Sequence, residues 1–323
     1  MTARLIVRKL IDAVVLLAMV LVFNFFLFRI VDNDPLARYR GHSKLSQEQR
    51  TAIIKRFGLD SSKWQQFVHY ISHTVRGDFG RSFDTTRPVM SEILDRLPNT
   101  LLLVGISTLL TIAIGVWIGI RAGWQRGSRF DRISTPLSMA LYGTPEFFLG
   151  MLLLAFLGAK LGWFPTGGVS DPSAHYTGFS VVVDRARHLV LPVATLTLGY
   201  PGSYSLIMRT SMLDTLREDY LTTARAKGLR DRDVMRHHAV PNALLPSVSL
   251  IAIGFGFIIG GAITTETVFS YPGLGLATYQ AIGNTALPMM QALFMFSSVA
   301  VIVFNMFADV VLTFLDPRIR VGA

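Results

Sequence analysis

The chain has 323 residues, of which 51% are hydrophobic and only 16% charged, with a formal net charge of +10. A soluble domain carries roughly 25% charge, so the missing charge points to surface that never meets water. The composition excludes disorder, collagen and a soluble basic nucleic-acid-binding domain as readings of the whole chain, and the absence of cysteine excludes disulfides, Cys-ligated zinc and thiol chemistry.

A bilayer span takes about 20 consecutive, mostly apolar residues. Leu10–Val31 is such a run, preceded by Arg4, Arg8 and Lys9. It is too long for the apolar stretch of a signal peptide and lacks a small-residue cleavage site, so it reads as a retained first span. Further runs at Thr100–Arg121, Pro136–Ala159, Leu189–Met208, Leu244–Ile263 and Gln291–Leu315 bring the expected number of spans to six.

Positive residues in short loops stay cytoplasmic. Placing the N-terminus inside puts Arg121, Arg126, Arg129 and Arg132 inside, then Arg209, Arg217, Arg225, Lys227, Arg230, Arg232 and Arg236, then Arg318 and Arg320. The segment between the first two spans is also basic, but at about 65 residues it exceeds the length over which this bias operates. Both termini are therefore expected in the cytoplasm, and the positive charge is a topology signal rather than a nucleic-acid footprint.

The expected organisation is a cytoplasmic N-terminus with span one (1–31), an extracytoplasmic helical insertion (32–98), a core of spans two to six (99–315) and a cytoplasmic tail (316–323). The insertion should hold a short helix over Ser46–Phe57, stopped at Gly58. A second should carry Trp64, Phe67, Val68, Ile71 and Val75 at helical spacing and end at Gly77.

The chemistry-bearing motifs are thin. No Gly-Lys pair exists to build a phosphate-binding Walker loop, and no His-Glu-x-x-His zinc site is present. Ser203 with His188 is a weak hydrolase signal, and the plainer reading of Gly199, Pro201, Gly202 and Ser203 is a locally loosened span four. Among acids in or near the apolar runs, Asp12 has Arg8 and Lys9 beside it, Asp309 lies near the basic tail, and Glu266 opens an outer loop where it is expected to contact water. Glu146 stands out, because an unpaired carboxylate is costly in the bilayer core. It either lines a pathway or pairs with a buried serine, threonine or histidine. Gly256 and Gly260 form a small-xxx-small face suited to close helix packing.

The most informative stretch is the cytoplasmic loop 209–243. Arg217, Glu218, Asp219, Tyr220, Ala224, Arg225, Ala226 and Lys227 fall in a segment that favours helix, and Gly228 suits the left-handed residue that ends one. Leu229 follows, and Asp231 is expected to cap a second helix running toward Pro241. Two short helices joined at a glycine would project as a charged knob.

This loop resembles that of the inner-membrane permease subunits of ABC importers: Glu-Ala-Ala, three residues, Gly, nine residues, Ile-x-Leu-Pro. Ala224, Gly228 and Pro241 match at that spacing, while Thr222, Thr223, His238 and Val240 depart from it. Thr223–Gly228 is similar to the oligopeptide/dipeptide/nickel permease version, Thr-Ala-Arg-Ala-Lys-Gly. The resemblance continues through Phe57–Asp60, Arg76–Ser82, Arg87–Val89, Arg96–Thr100, Gly162–Pro165, Glu266–Gly275 and Leu315–Arg320. Where the family more often has a small polar residue, this chain has Glu146, and where it often has Arg-Asp-Tyr-Pro, this chain has Asn284–Pro288.

The resemblance is closest to the first, B-type, of two peptide-permease subunits. It implies an all-α, six-span, type I importer permease in a prokaryotic plasma membrane, not itself an enzyme. It implies a second homologous permease, ATPase subunits (separate or fused) beneath the loop, an extracytoplasmic binding protein, surrounding lipid and a peptide substrate. No cofactor is expected in this chain, since ATP and Mg would be bound by the ATPases. Nickel or another small solute is the alternative cargo. A stand-alone secondary transporter is the lesser reading, as no internal repeat is visible.

Overall fold

The structure, a computed structural model, describes residues 3–29, 51, 61–82, 85, 87–174, 176–244, 246–247, 262–284 and 286–315, with side chains described for 7–28 and up to 306 at the two ends. The expected helix at 46–57, most of the fifth apolar run with Gly256 and Gly260, the side chain of Asp309 and the tail 316–323 lie outside the described residues.

The described residues are helical, joined by turns and a backbone bridge between Arg81 and Pro88. Helix α1 is Ala3–Arg29, α2 is Lys63–Val75 and α3 is Val89–Trp124. Then come α4 (Arg129–Tyr142) and α5 (Glu146–Leu153), the latter continuing as a π-helical turn over Leu154–Lys160. Helices α6 (Phe179–Gly199) and α7 (Pro201–Thr215) follow almost without a break. The knob consists of α8 (Asp219–Ala226) and α9, which starts at Asp231–Asp233 and widens into a π-helix over Val234–Ala239. Helices α10 (Ile263–Val268), α11 (Leu274–Gly283) and α12 (Leu287–Leu315) are the last of the described elements.

Three described helices are long and apolar enough to cross a membrane: Val7–Phe28, Val89–Trp124 and Leu287–Met306. A fourth crossing results if α4 and α5 together make one, but they meet at a bend of 101°. The third apolar run is therefore not one straight helix. Gly143 ends α4, and Pro145 both lacks an amide proton and steers Thr144 away from helical geometry. The fourth run is likewise divided. Its break falls at Tyr200–Pro201, inside the glycine- and proline-containing stretch where the sequence indicates loosening. Helix α3 begins at Val89, so residues 89–98, assigned by sequence to the extracytoplasmic insertion, form its first turns.

Helix α2 opens on a capping box: Ser62 Oγ accepts from the Gln65 amide while the Ser62 amide donates to Gln65 Oε1. It stops before Gly77, which adopts φ +73°. Phe25 of α1 meets Phe67 edge-on and Tyr70 at a tilt. The buried row is Gln66, Tyr70 and Thr74, while Trp64, Val68 and Val75 of the expected apolar stripe are exposed. Reaching the aromatic ring of Phe25 thus sets the rotation of this helix, rather than burial of its most apolar face.

The core falls into three parts. Val89 and Ile93 of α3 pack with α11 and α12, and Leu103 packs with α6, Phe269 and Tyr271. Met208 and Met212 of α7 pack with Leu221, Ala224, Val234, Ala239 and Ala243. The third cluster anchors the knob.

Candidate functional site: the charged knob and the broken-helix centre

Helix α8 starts with Asp219 in its first turn and carries Arg225 in its last, charges placed to suit the helix dipole. Gly228 adopts φ +81°, the left-handed conformation expected of it, and an added Cβ there would meet nothing within 4 Å. Arg230, not Asp231, occupies the cap position of α9, and Asp231 is its first residue. From there the Asp231 carboxylate lies 3.5 Å from Arg225 Nε. That guanidinium also sits 5.9 Å from the Trp124 ring, tying α8 to the end of α3.

Leu221 and Ala224 face inward, so Ala224 is packing for the knob rather than part of its outer surface. Arg217, Glu218, Asp219, Tyr220, Arg225, Ala226, Lys227, Gly228, Leu229 and Pro241 are exposed. Partial burial and the nearby Glu218 charge push the Tyr220 phenol up, keeping it neutral, against a hydrogen bond with the Asn242 side chain that acts the other way. Ser211 Oγ donates to the Ala243 carbonyl at 2.7 Å, fastening α7 to the end of α9. The knob is packed against α3 and α7 and carries a charged outer surface.

Arg209 adds a second fastening on α7. Its Nε and Nη2 donate to the two Asp131 oxygens at 2.7 and 3.0 Å. Asp131 also accepts from the Gly127 amide and the Thr135 hydroxyl. This fork joins the start of α4 to α7, and sequence reading assigned neither residue a partner.

At the opposite end, segments quoted for the resemblance meet one another. Thr100 Oγ1 donates to Glu266 Oε1 at 2.9 Å and accepts from the Leu274 amide at 2.7 Å. The Leu276 amide donates to Glu266 Oε2 at 2.9 Å, and Asn99 Nδ2 to the Pro272 carbonyl at 2.9 Å. The Gly168 amide reaches the Phe269 carbonyl at 3.0 Å. Glu266 is fully buried, which corrects the expectation that it contacts water. Three donors converge on its carboxylate, counting the Gly275 amide, and replace hydration.

Glu146 opens α5 at the bend, with its carboxylate only partly buried. Tyr200 Oη donates to its Oε2 at 2.7 Å, and Thr264 Oγ1 donates to its Oε1 at 2.8 Å; the Thr265 hydroxyl donates to the same oxygen. Ser203 and His188 form no pair with each other. Ser203 Oγ donates to the Tyr200 carbonyl, and His188 Nδ1 engages Asp184 of its own helix.

Residues 115–321 match the family described as the binding-protein-dependent transport system inner membrane component, and residues 2–104 match its N-terminal counterpart. The chain belongs to this family. Its relatives include the probable peptide ABC transporter permease protein y4tP of Sinorhizobium fredii, 36% identical with 98% of both chains covered. The oligopeptide transport system permease protein AppB of Bacillus subtilis is 33% identical over 98% of this chain and 99% of its own. The di/tripeptide permease DppB of Pseudomonas aeruginosa is 32% identical over 93% and 94%. Among solved structures, a chain of the MetNI methionine ABC transporter shares the fold at a TM-score of 0.56 and 16% identity, covering 70% of this chain and 97% of that one. The family assigns the chain to the membrane component of a transporter, and both the knob and the broken helices lie in the 115–321 match.

Proposed function

We propose that the chain is one of two permease subunits of an ATP-driven peptide importer. On this reading it crosses the plasma membrane six times with both termini in the cytoplasm. Peptide arrives from an extracytoplasmic binding protein, and paired ATPase subunits or domains, which bind ATP and Mg, dock on the knob. The peptide cargo is supported by relatives named for peptide, oligopeptide and di/tripeptide transport.

The observation that carries the coupling role is the two-sided construction of the knob. Its inner side is fixed to α3 and α7 through Leu221, Ala224 and Val234, while its outer side holds exposed charges. A push on the outer side is therefore delivered to α7 and to the start of α9 rather than absorbed locally. Transport requires that ATP binding favour one access state over the other, and a stiff lever is how that difference reaches the spans.

Gly228→Val tests this. A β-branched residue in the left-handed region costs about 1–2 kcal/mol of backbone strain, enough to reshape the α8–α9 turn. An added Cβ meets open space, so the core remains intact. In the reconstituted transporter the variant should assemble and hydrolyse ATP but lose most peptide uptake. Normal uptake would remove the knob from the coupling path. Uptake of labelled peptides of graded length, with and without this subunit, tests the cargo.

A further inference from the structure

Two helix breaks and one helix start meet at one carboxylate. The bend between α4 and α5, the Tyr200 junction between α6 and α7, and the start of α10 bring Tyr200, Thr264 and Thr265 onto Glu146. Within a bilayer, irregular backbone is tolerated where it is buried in protein or lines a cavity, and substrate sites of transporters form at such discontinuities.

The partners of Glu146 among the described residues are hydroxyls, which fill its acceptor sites without neutralising its charge. Tyr200 is 44% exposed and Thr264 is exposed as well, so the charge can be reached. A carboxylate flanked by a phenol hydroxyl and an exposed threonine hydroxyl supplies the charge and the hydrogen bonds that an ammonium group seeks. One carboxylate with three hydroxyls is a poor set for a divalent metal, which would want more anionic ligands.

We infer that Glu146, framed by Tyr200 and Thr264, receives a primary ammonium group, the free amino terminus of a peptide in passage. The inference rests on the peptide-importer reading. The site adds a preference for free over blocked amino termini to whatever selection occurs before the peptide reaches the membrane.

The test uses the assembled transporter in vesicles of phosphatidylcholine and phosphatidylglycerol, which contain no primary amine of their own. Uptake of trialanine is compared with uptake of N-acetyl-trialanine. Glu146→Gln should lower uptake of the free peptide about tenfold, as expected for loss of one charge-assisted hydrogen bond, and leave the blocked peptide unchanged. Equal loss for both peptides would mean that Glu146 serves only the structure, and no loss for either would mean that it serves neither; each overturns the site. If wild-type vesicles carry neither peptide, the importer reading fails instead.

A second arm is independent of cargo and decides alone where the blocked peptide is not carried. Gly143→Cys introduces a thiol on the exposed bend of a chain with no native cysteine. With Glu146 present, a cationic thiosulfonate should modify it about tenfold faster than an anionic one, through local electrostatic attraction. Glu146→Gln in the same background should bring the two rates together. An unreactive thiol, or equal rates with Glu146 intact, overturns the site.

Discussion

Gly119→Leu should force α3 and α7 apart, giving a chain that inserts but melts several degrees below the wild type. The residues Ser107, Thr111, Gly115, Gly119 and Gly123 are all buried and recur every four positions along one face of α3. A Cβ at Gly119 would lie 2.6 Å from Met208 Cβ and 2.7 Å from the Ser205 carbonyl oxygen. At Gly115 it would meet Tyr204 Cβ at 2.7 Å and the Pro201 oxygen at 2.8 Å, and at Gly123 Met212 Cβ at 2.6 Å. These neighbours are main chain or first side-chain atoms, so they move only if the helices separate. Lipid is as apolar as the helix surfaces, which leaves close packing as the force that joins them. Overpacking of this kind costs about 3 kcal/mol, or roughly 4–5 °C in midpoint for a chain of this size. Detergent-solubilised protein followed by thermal unfolding reads the effect, with Gly105→Leu as control, because a Cβ at Gly105 meets nothing within 4 Å. A Gly119→Leu melting curve overlying the wild type would show that the seam does not hold the fold.

That seam was hidden in the sequence although every residue of it was visible. Ser107 to Gly123 lie inside an apolar run, where small residues look like gaps in hydropathy, and their partners begin at Pro201. The apolar runs behind α1, α3 and α12 were legible because length and composition suffice for a straight span. Composition carries no direction, however. The run at Pro136–Ala159 looked continuous, yet Gly143 and Pro145 turn it by 101°. Local chemistry was legible wherever it closes locally: the Gly77 stop, the left-handed Gly228 and the loosened stretch at 199–203.

The acids divide along the same line. Glu146 was recognisably costly from sequence alone, and threonine was among the expected partners, but Thr264 and Thr265 stand 118 and 119 residues away and could not be named. Glu266 was misread for the same reason, its acceptor sites being filled by Thr100 from 166 residues earlier. The two segments carrying this lock, Arg96–Thr100 and Glu266–Gly275, were both singled out as part of the resemblance. What the sequence could not show was that they face each other.

Glu266→Ala should strongly destabilise the end of the protein that lies away from the knob. The substitution strips acceptors from the Thr100 hydroxyl and from the Leu276 and Gly275 amides while leaving all three groups buried. Each unsatisfied donor costs about 1–3 kcal/mol, so the sum approaches the 3–5 kcal/mol seen when a buried charged partner is removed. Glu266→Gln should be far milder. Its oxygen can still serve the two amides, and its amide group can donate to Thr100 Oγ1, which needs only to turn its own proton away. The two variants also separate by pH. Burial pushes the Glu266 carboxyl above its ordinary value, against the hydrogen bonds and the Arg96 charge that pull it down. The folded protein therefore holds this proton more tightly than the unfolded chain. Between the ordinary carboxylate value and the raised one, wild-type stability should fall as pH rises. Glu266→Gln has no proton to lose, so its stability relative to wild type should improve across that window. A wild-type midpoint that instead rises relative to the Gln variant through the same range would show that hydrogen bonding outweighs burial at Glu266. An unchanged midpoint in Glu266→Ala would show that the three donors find other partners.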